Sequence, residues 1–421
     1  MKRVLSSELA AHVGERVQIA GWAHRRRLLK TVAFLIVRDR AGLAQVVVPS
    51  AAELEGFGEE TVVSVTGTVT ANPQAPGGVE LTSPVVELLG EPVRELPVEL
   101  HRPELSATLP TLLDHAFVTL RHSTRKPVFE LSAAAIRGFR AVLDAQGFTE
   151  VCTPKIVEAA TESGASVFGV DYFGRKAYLA QSPQFYKQAM VGVFERVYEI
   201  GPVFRAEPHD TSRHLAEYVS LDVELGFIEN HHDVMRVLRD VVAGMVAETA
   251  PAAAKLGIEL PAVPAEIPVV HFAEALKIAG ADPAEKDLAP ADERAVAEWA
   301  RAEHGSEFVY VEGYPTLERA FYTHPEPGHA PYSRGFDLLF RGLELVSGAQ
   351  RLHRYTDYVA TLAERGLPIG PYESYLDVFR HGVPPHGGFA IGLERFVMQL
   401  IGAGNIREVT LFPRDLHRLT P

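Results

Sequence analysis

The stretch Val203–Glu224, "VFRAEPHDTSRHLAEYVSLDVE", decides how the rest of the chain is read. It opens on a β-rich run, breaks into a polar loop, and returns with charged residues at alternate positions. By the two-residue period of a strand, Arg205 and Glu207 share a face, and on the return Tyr218, Asp222 and Glu224 share one as well. An arginine, an aromatic ring and carboxylates could thus look into one cleft, with Arg213 and His214 on the loop placed to close over a polyanion. Taken alone, the pattern suits a solvated hairpin with surface ion pairs equally well.

A second hairpin bears on that choice. In "RGFDLLFRGLELVSGAQRLH" (Arg334–His353), Arg341-Gly342 reads as a turn that puts Leu339 opposite Glu344 and leaves Asp337 diagonal to Glu344 on one face. Two such carboxylates repel unless positive charge lies between them. Oxygen-only ligation with so few carboxylates fits Mg²⁺ brought in with nucleotide phosphates, and the plain alternative is a carboxylate pair facing separate lysines or arginines. A third segment, "HGGFAIGLERFVMQLIG" (His386–Gly402), places Gly387, Gly388 and Gly392 before Glu394, Arg395 and an apolar helix. Glycines at a strand-to-helix junction let a ligand approach the backbone, and an arginine near a helix start can meet phosphate or stack on a base. A glycine turn before a helix is also a common packing device.

The remainder of the chain sets the frame. A length of 421 residues with 47% hydrophobic composition suits two or three domains with real cores. The single cysteine, Cys152, excludes a disulfide framework and fits a reducing, cytoplasmic setting. No apolar run is long enough to span a bilayer, and the N-terminus lacks the apolar core of a signal peptide. The net charge of −13 argues against broad phosphate neutralisation, although "HRRRLLK" (His24–Lys30) keeps a small basic footprint.

Between Arg16 and Leu89, short period-two runs bounded by turn residues predict a small β-barrel, of which the OB-fold is one kind. A Pro-rich stretch, Gly90–Pro110, reads as a linker. Beyond it, Leu131–Phe148 has helical spacing and a stop at Gly147, and "TEVCTPKIV" reads as a strand ended by Pro154. The expected organisation is a barrel over 1–95, a hinge over 96–127, and an α+β domain over 128–421 with a small insertion around 240–300.

The order of these pieces carries a resemblance. A helix and strand ending at proline, then "FRAE…RH…EY…D.E", then "GFAIGLER" near the C-terminus, resembles the three signature motifs of the class II aminoacyl-tRNA synthetases. "QSPQFYKQ" (Gln181–Gln188), "TESGASVF" (Thr161–Phe168), "LELVSGAQRLH" and "LFPRDLHRLTP" look like the versions found in the aspartate-specific members of the archaeal type. The resemblance implies an OB-fold anticodon-binding barrel joined to a catalytic domain built on an antiparallel sheet flanked by helices. It also implies ATP as substrate, Mg²⁺ as cofactor, and a homodimer with Pro154 at its interface.

On that resemblance, Glu162, Gln184 and Asp222 hold the substrate ammonium, while Lys187 and Arg351 pair with its side-chain carboxylate. A lysine point charge and a planar arginine fork suit a small carboxylate. Related asparagine enzymes lack the lysine of "SPQxYKQ". Arg205 takes the α-phosphate with Glu207 beside it, Tyr218 stacks on adenine, and Arg213 and His214 touch the γ-phosphate. Gly392 and Arg395 hold the far side of the nucleotide, and Asp337 and Glu344 carry Mg²⁺ with Ser347 nearby.

In the barrel, Arg27, Phe34 and Gln45 match the anticodon-binding positions, a cation, a ring and an amide suited to unstacked bases. Read from composition alone, Phe34 is a core residue. His24 and Pro76 match the histidine and proline of members that charge both tRNA(Asp) and tRNA(Asn), which implies a link to a separate amidotransferase. Competing readings are an asparaginyl-tRNA synthetase, an adenylate-forming asparagine synthetase-like enzyme, and a non-catalytic tRNA-binding paralogue. The last should have lost members of the Arg205, Glu344 and Arg395 set, all of which are present.

Overall fold

Alternation of apolar and polar residues from Arg16 onward produces the strands it predicts. In the computed structural model, which describes residues 2–158, 166–208 and 210–420, five strands close into a barrel in the order β1-β2-β3-β5-β4. They are β1 (Arg16–Leu28), β2 (Ala33–Arg38), β3 (Leu43–Val48), β4 (Val62–Ala71) and β5 (Val79–Leu88). Val17, Ile19, Ala23, Leu35, Val37, Val46, Val63, Val65 and Leu81 fill the interior, one face of each strand, as the period requires. The register of β1 on β2 shifts between Ala23 and Arg25, so His24 is an extra residue that bends the strand.

The chain divides into two compact units, Met1–Thr124 and Arg125–Pro421. Strands of the second unit are β6 (Thr149–Glu150), β7 (Ile156–Val157), β8 (Gly169–Tyr172), β9 (Arg175–Leu179), β10 (Arg196–Phe204) and β11 (Glu217–Gly226). They continue with β12 (Val269–His271), β13 (Phe308–Glu312), β14 (Gly335–Phe340), β15 (Leu343–Gln350) and β16 (His386–Gly392). Eight of them form one sheet in the order β12-β13-β14-β15-β16-β11-β10-β6, antiparallel except where β6 joins β10 and β12 joins β13. A separate three-stranded sheet runs β7-β9-β8.

Helices Lys126–Ala145 and His231–Glu248 cover the large sheet, burying Leu131, Phe139, Leu143, Leu238, Val242 and Met245 against Leu221, Val223 and Phe389. Glycines allow their contact: a Cβ on Gly138 would stand 2.5 Å from the Gly244 carbonyl oxygen. The helix Lys126–Ala145 ends at Gly147, whose φ of +77° closes it as the sequence predicts.

Three local expectations change. The strand read in "TEVCTPKIV" stops at Glu150, because Thr153 spends its amide and hydroxyl on the Glu199 carboxylate at 3.0 and 2.7 Å, leaving Ile156–Val157 to the smaller sheet. The strand through Arg205 and Glu207 ends at Phe204. One further rung, Arg205 N–H to the Ala216 carbonyl at 2.9 Å, is followed by Ala206 turning to the Ser166 carbonyl. The segment expected as an insertion from 240 begins inside a core helix, since Met245 and Val246 are buried in the main core. A satellite cluster around Phe272, Leu276, Val296 and Val309 lies further on.

Candidate active site

Strand β11 crosses the middle of the large sheet and presents Tyr218, Ser220, Asp222 and Glu224 on one face. Around its outer end, one cavity is lined by Arg205, Glu207, Arg213, His214, Tyr218, Glu344, Ser347, Gly392 and Arg395. A second opens beside it over Gln184, Lys187, Asp222 and Arg351, and the two share Arg205, Tyr218, Ser220, Glu344 and Ser347. Residues singled out in sequence for nucleotide and for amino acid therefore come together from four separate stretches of the chain. Glu162 lies outside the described residues. Asp337 lines neither cavity and reaches the site through Ser347, whose hydroxyl donates to Oδ1 at 2.7 Å.

The inner cavity ends in a buried ionic network. Lys187, 1% exposed, sits 3.0 Å from Asp222 Oδ1 and 3.4 Å from Glu224 Oε2, and also donates to the carbonyl of Phe389 at 3.2 Å. Arg351 donates from Nε to Glu224 Oε1 at 3.0 Å and from Nη2 to the Gly388 carbonyl at 3.0 Å. Burial pushes the Glu224 carboxyl up, but Arg351 and Lys187 more than offset this and hold it below the usual range. Gly388 is required here, because a Cβ would overlap the Glu224 carboxylate. Two cations and two carboxylates are thus assembled where water is excluded, a geometry that can exchange a protein carboxylate partner for one on a ligand.

The outer cavity has a different charge pattern. Arg205 packs its guanidinium 5.6 Å from the Tyr218 ring centre, and Arg395 donates to the Glu344 carbonyl at 3.3 Å. Glu394 accepts the Val219 amide at 3.2 Å, and burial pushes its carboxyl up to about 7. The hairpin β14-β15 pairs Leu339 with Glu344 as expected, but a bulge at Leu345 moves Asp337 opposite Ser347 rather than Val346. Glu344 and Ser347, three apart and on opposite faces of a regular strand, consequently both reach the cavity.

The charge that neutralises Asp337 is a guanidinium. Arg319 grips it with two nitrogens at 3.0 and 2.5 Å and stacks 3.7 Å above the Tyr314 ring. Glu344, by contrast, is pushed up by burial and by Asp337. Glu293, on the helix Pro290–His304, is pushed up to about 7 by burial and by Glu344, whose amide it accepts at 3.4 Å. Neither Arg319 nor Glu293 was legible in sequence: "TLERAF" has no strand or helix period, and Glu293 sits in an ordinary charged helix, "PADERAVAEWA".

In the barrel, register pairs Arg27 with Phe34 and Ile36 with Gln45, which sets Arg27, Phe34 and Gln45 on the outer face. Phe34 is half-buried there, not a core residue. Gln45 donates to Glu80 at 2.9 Å, and Asn72 at the base of the loop carrying Pro76 donates to the same oxygen at 2.8 Å. His24 Nδ1 lies 3.9 Å from the buried Glu60, which Arg38 also grips at 2.7 Å. Pro154 is exposed beside the exposed Ile156.

A family model described as tRNA synthetases class II (D, K and N) matches residues 108–416. The chain belongs to this family. A second model, an OB-fold nucleic acid binding domain, matches residues 17–89 of the synthetase. Over 426 residues and the whole of both chains, it is 46% identical to the aspartate–tRNA(Asp/Asn) ligase of Thermus thermophilus. It is 44% identical to the enzyme of the same name from Deinococcus radiodurans, covering 100% of this chain and 99% of that one. Among solved structures it is similar to asparaginyl-tRNA synthetase from Pyrococcus horikoshii complexed with asparaginyl-adenylate, with TM-score 0.91, 30% identity and full coverage of both chains. It is also similar to aspartyl tRNA synthetase from Entamoeba histolytica, with TM-score 0.87, 28% identity, and 100% and 93% coverage. As a class II synthetase the enzyme uses ATP and acts on tRNA. No helix among the described residues is long and apolar enough to cross a membrane.

Proposed function

We propose that this synthetase attaches L-aspartate to tRNA(Asp) and to tRNA(Asn) through an aspartyl-adenylate. The observation that carries the choice of amino acid is the pair of buried cations, Lys187 and Arg351, converging on Glu224 at the inner end of the cavity. A side-chain carboxylate satisfies both, whereas the amide of asparagine would leave a buried lysine facing an NH₂ donor. Asp222 and Gln184, with Glu162 from outside the described residues, supply acceptors for the ammonium.

In the first step the α-carboxylate oxygen attacks the α-phosphorus of ATP. A bond forms between them, the bond to the bridging oxygen breaks, and pyrophosphate leaves. No enzyme nucleophile is needed, so catalysis rests on alignment and on positive charge around the phosphates, supplied by Arg205, Arg213 and Arg395, with His214 as a hydrogen-bonding side chain beside them and Tyr218 under the adenine. Glu207 lines the same cavity. Mg²⁺ fits the donor set on one side: Glu344 is pushed up by burial and by other carboxylates, while Arg319 already neutralises Asp337. Glu344 and Ser347 would hold the ion, with Asp337 orienting Ser347, and the ion would neutralise charge on the leaving phosphates. In the second step a terminal ribose hydroxyl of the tRNA attacks the mixed anhydride and releases AMP.

The barrel binds the anticodon on the face carrying Arg27, Phe34 and Gln45, with His24 and Pro76 relaxing discrimination between the two tRNAs. Asp-tRNA(Asn) would then pass to an amidotransferase in a cytoplasmic, indirect route to Asn-tRNA. The enzyme acts as a homodimer with Pro154 at the interface, and a monomer in sedimentation equilibrium would remove that element. The deciding experiment charges tRNA(Asp) and tRNA(Asn), as transcripts and as cellular tRNA, with labelled aspartate. Comparable charging of both is expected. Charging of tRNA(Asp) alone would end the dual role, and charging of neither would favour an adenylate-forming relative.

A further inference from the structure

Away from the cavity, the start of the helix His231–Glu248 brings two adjacent histidines onto one carboxylate. His231 Nε2 and His232 Nε2 each lie 2.8 Å from the same oxygen, Oε2 of Glu312, at the end of β13. The three atoms lie within 4.8 Å of one another. His231 is buried against the Phe336 ring, with centroids 6.3 Å apart, whereas the His232 side chain is 49% exposed and leaves the cluster open to solvent.

We propose that His231, His232 and Glu312 bind a divalent transition-metal ion of the zinc class. Two imidazole nitrogens and one carboxylate oxygen are a borderline donor set, suited to Zn²⁺ and unlike the all-oxygen shell that Mg²⁺ takes. Ligand bonds of about 2.0–2.2 Å separate neighbouring donors in a tetrahedron by roughly 3.3 Å. The present separation of 2.8 Å from each nitrogen to the oxygen needs an expansion of about half an ångström, which rotation of the exposed His232 ring supplies for one pair and a shift of the partly exposed Glu312 carboxylate supplies for the buried His231. Three protein ligands leave a fourth position for water. Coordination through Nε2 puts the His231 proton on Nδ1, a buried atom with no hydrogen-bond partner among the described residues. The missing outer partner sets the affinity below that of a closed structural zinc site. The positive end of the helix also opposes a cation, and the Glu312 charge counters it.

The rival for the same geometry is a hydrogen-bonded clamp, both rings donating Nε2–H to Glu312, that ties the helix start to β13. Chelator-stripped full-length protein would be titrated with Co²⁺, read by its visible absorption, and with Zn²⁺ by calorimetry, each in excess Mg²⁺. The expected result is one ion per chain, proton release on binding, and a loss of at least tenfold in affinity for both His232→Ala and Glu312→Gln. Absence of stoichiometric binding by the unaltered protein, or equal binding by the folded His232→Ala variant, would overturn the site and leave the clamp. Because His232 is half exposed, that variant should keep its cooperative melt, and the titration of the unaltered protein needs no variant at all.

Discussion

Arg319 holds Asp337 with two parallel contacts of 3.0 and 2.5 Å while the Ser347 hydroxyl donates to the same carboxylate at 2.7 Å. One member of the acidic hairpin is thereby charge-paired before any ligand arrives, whereas Glu344 beside it meets Arg395 Nη1 at the longer distance of 3.9 Å and is pushed up by burial and by Asp337. The pair is nearly enclosed, with side chains 17% and 5% exposed. Arg319→Leu should destabilise the protein by about 3–5 kcal/mol in urea unfolding without Mg²⁺, since it strands a buried carboxylate. Adding Asp337→Leu should recover much of that loss. Additive losses in the double variant would contradict this account.

Arg205→Ala should lower kcat for aspartate-dependent ATP–pyrophosphate exchange by about 10²–10³-fold, as expected for removing a cation aimed at the reacting phosphate. Its melting temperature should move by only a few degrees, because Arg205 is half-buried at the cavity wall. A large stability loss with intact exchange would reverse the assignment.

Buried His386 makes stability depend on acid. Its Nδ1–H donates to the Pro384 carbonyl at 2.8 Å and its Nε2 accepts from the Gln188 amide at 2.8 Å, so a second proton would face an NH₂ donor. Burial pushes its pKa down to about 4. A depressed group contributes stability that is full above its unfolded value of about 6.5 and lost as pH falls toward 4, about 3 kcal/mol in all. Denaturation of the unaltered protein and of His386→Gln between pH 7 and pH 4 should show this slope only in the former.

Gly388→Ala should cost about 1–3 kcal/mol and raise KM for aspartate, because the added methyl overlaps both the Val223 carbonyl oxygen of the neighbouring strand and the Glu224 carboxylate that anchors Lys187 and Arg351. Gly392→Ala is the comparison. There the first atom met is Arg395 Cβ at 3.8 Å, ordinary contact, so folding stability should change by less than about 1 kcal/mol. Equal losses at the two glycines would show that the close approach of Val223 and Glu224 to Gly388 does not set the cost.

Phe34→Ala on the outer face of the barrel should leave tRNA-independent exchange unchanged and lower kcat/KM for tRNA by roughly 5- to 150-fold, the range for losing one base stack of about 1–3 kcal/mol. Loss of exchange activity as well would point to a folding role for the ring.

Local periodicity made much of this protein legible in its residues. Alternation between Arg16 and Leu88 determines five strands and their inward faces, and the same period puts Tyr218, Asp222 and Glu224 on one side of β11 before any neighbour is known. The helix stop at Gly147 follows from a backbone preference that needs no tertiary information, whereas Arg341 in the turn before Gly342 takes a φ of +50° against its preference and is held by the Glu307 carboxylate. Periodicity says which way a side chain points along its own element and nothing about what arrives from elsewhere. Only the tertiary structure brings Arg319 onto Asp337 and Glu293 against Glu344, contacts between residues remote in the chain. Bulges at His24 and Leu345 likewise escape the pattern, since one extra residue flips every later side chain and is stabilised by cross-strand packing rather than by its own sequence. The strands and their inward faces are consequences of local order, while the order in which they pair and the balance of charge in the site are decided by long-range packing.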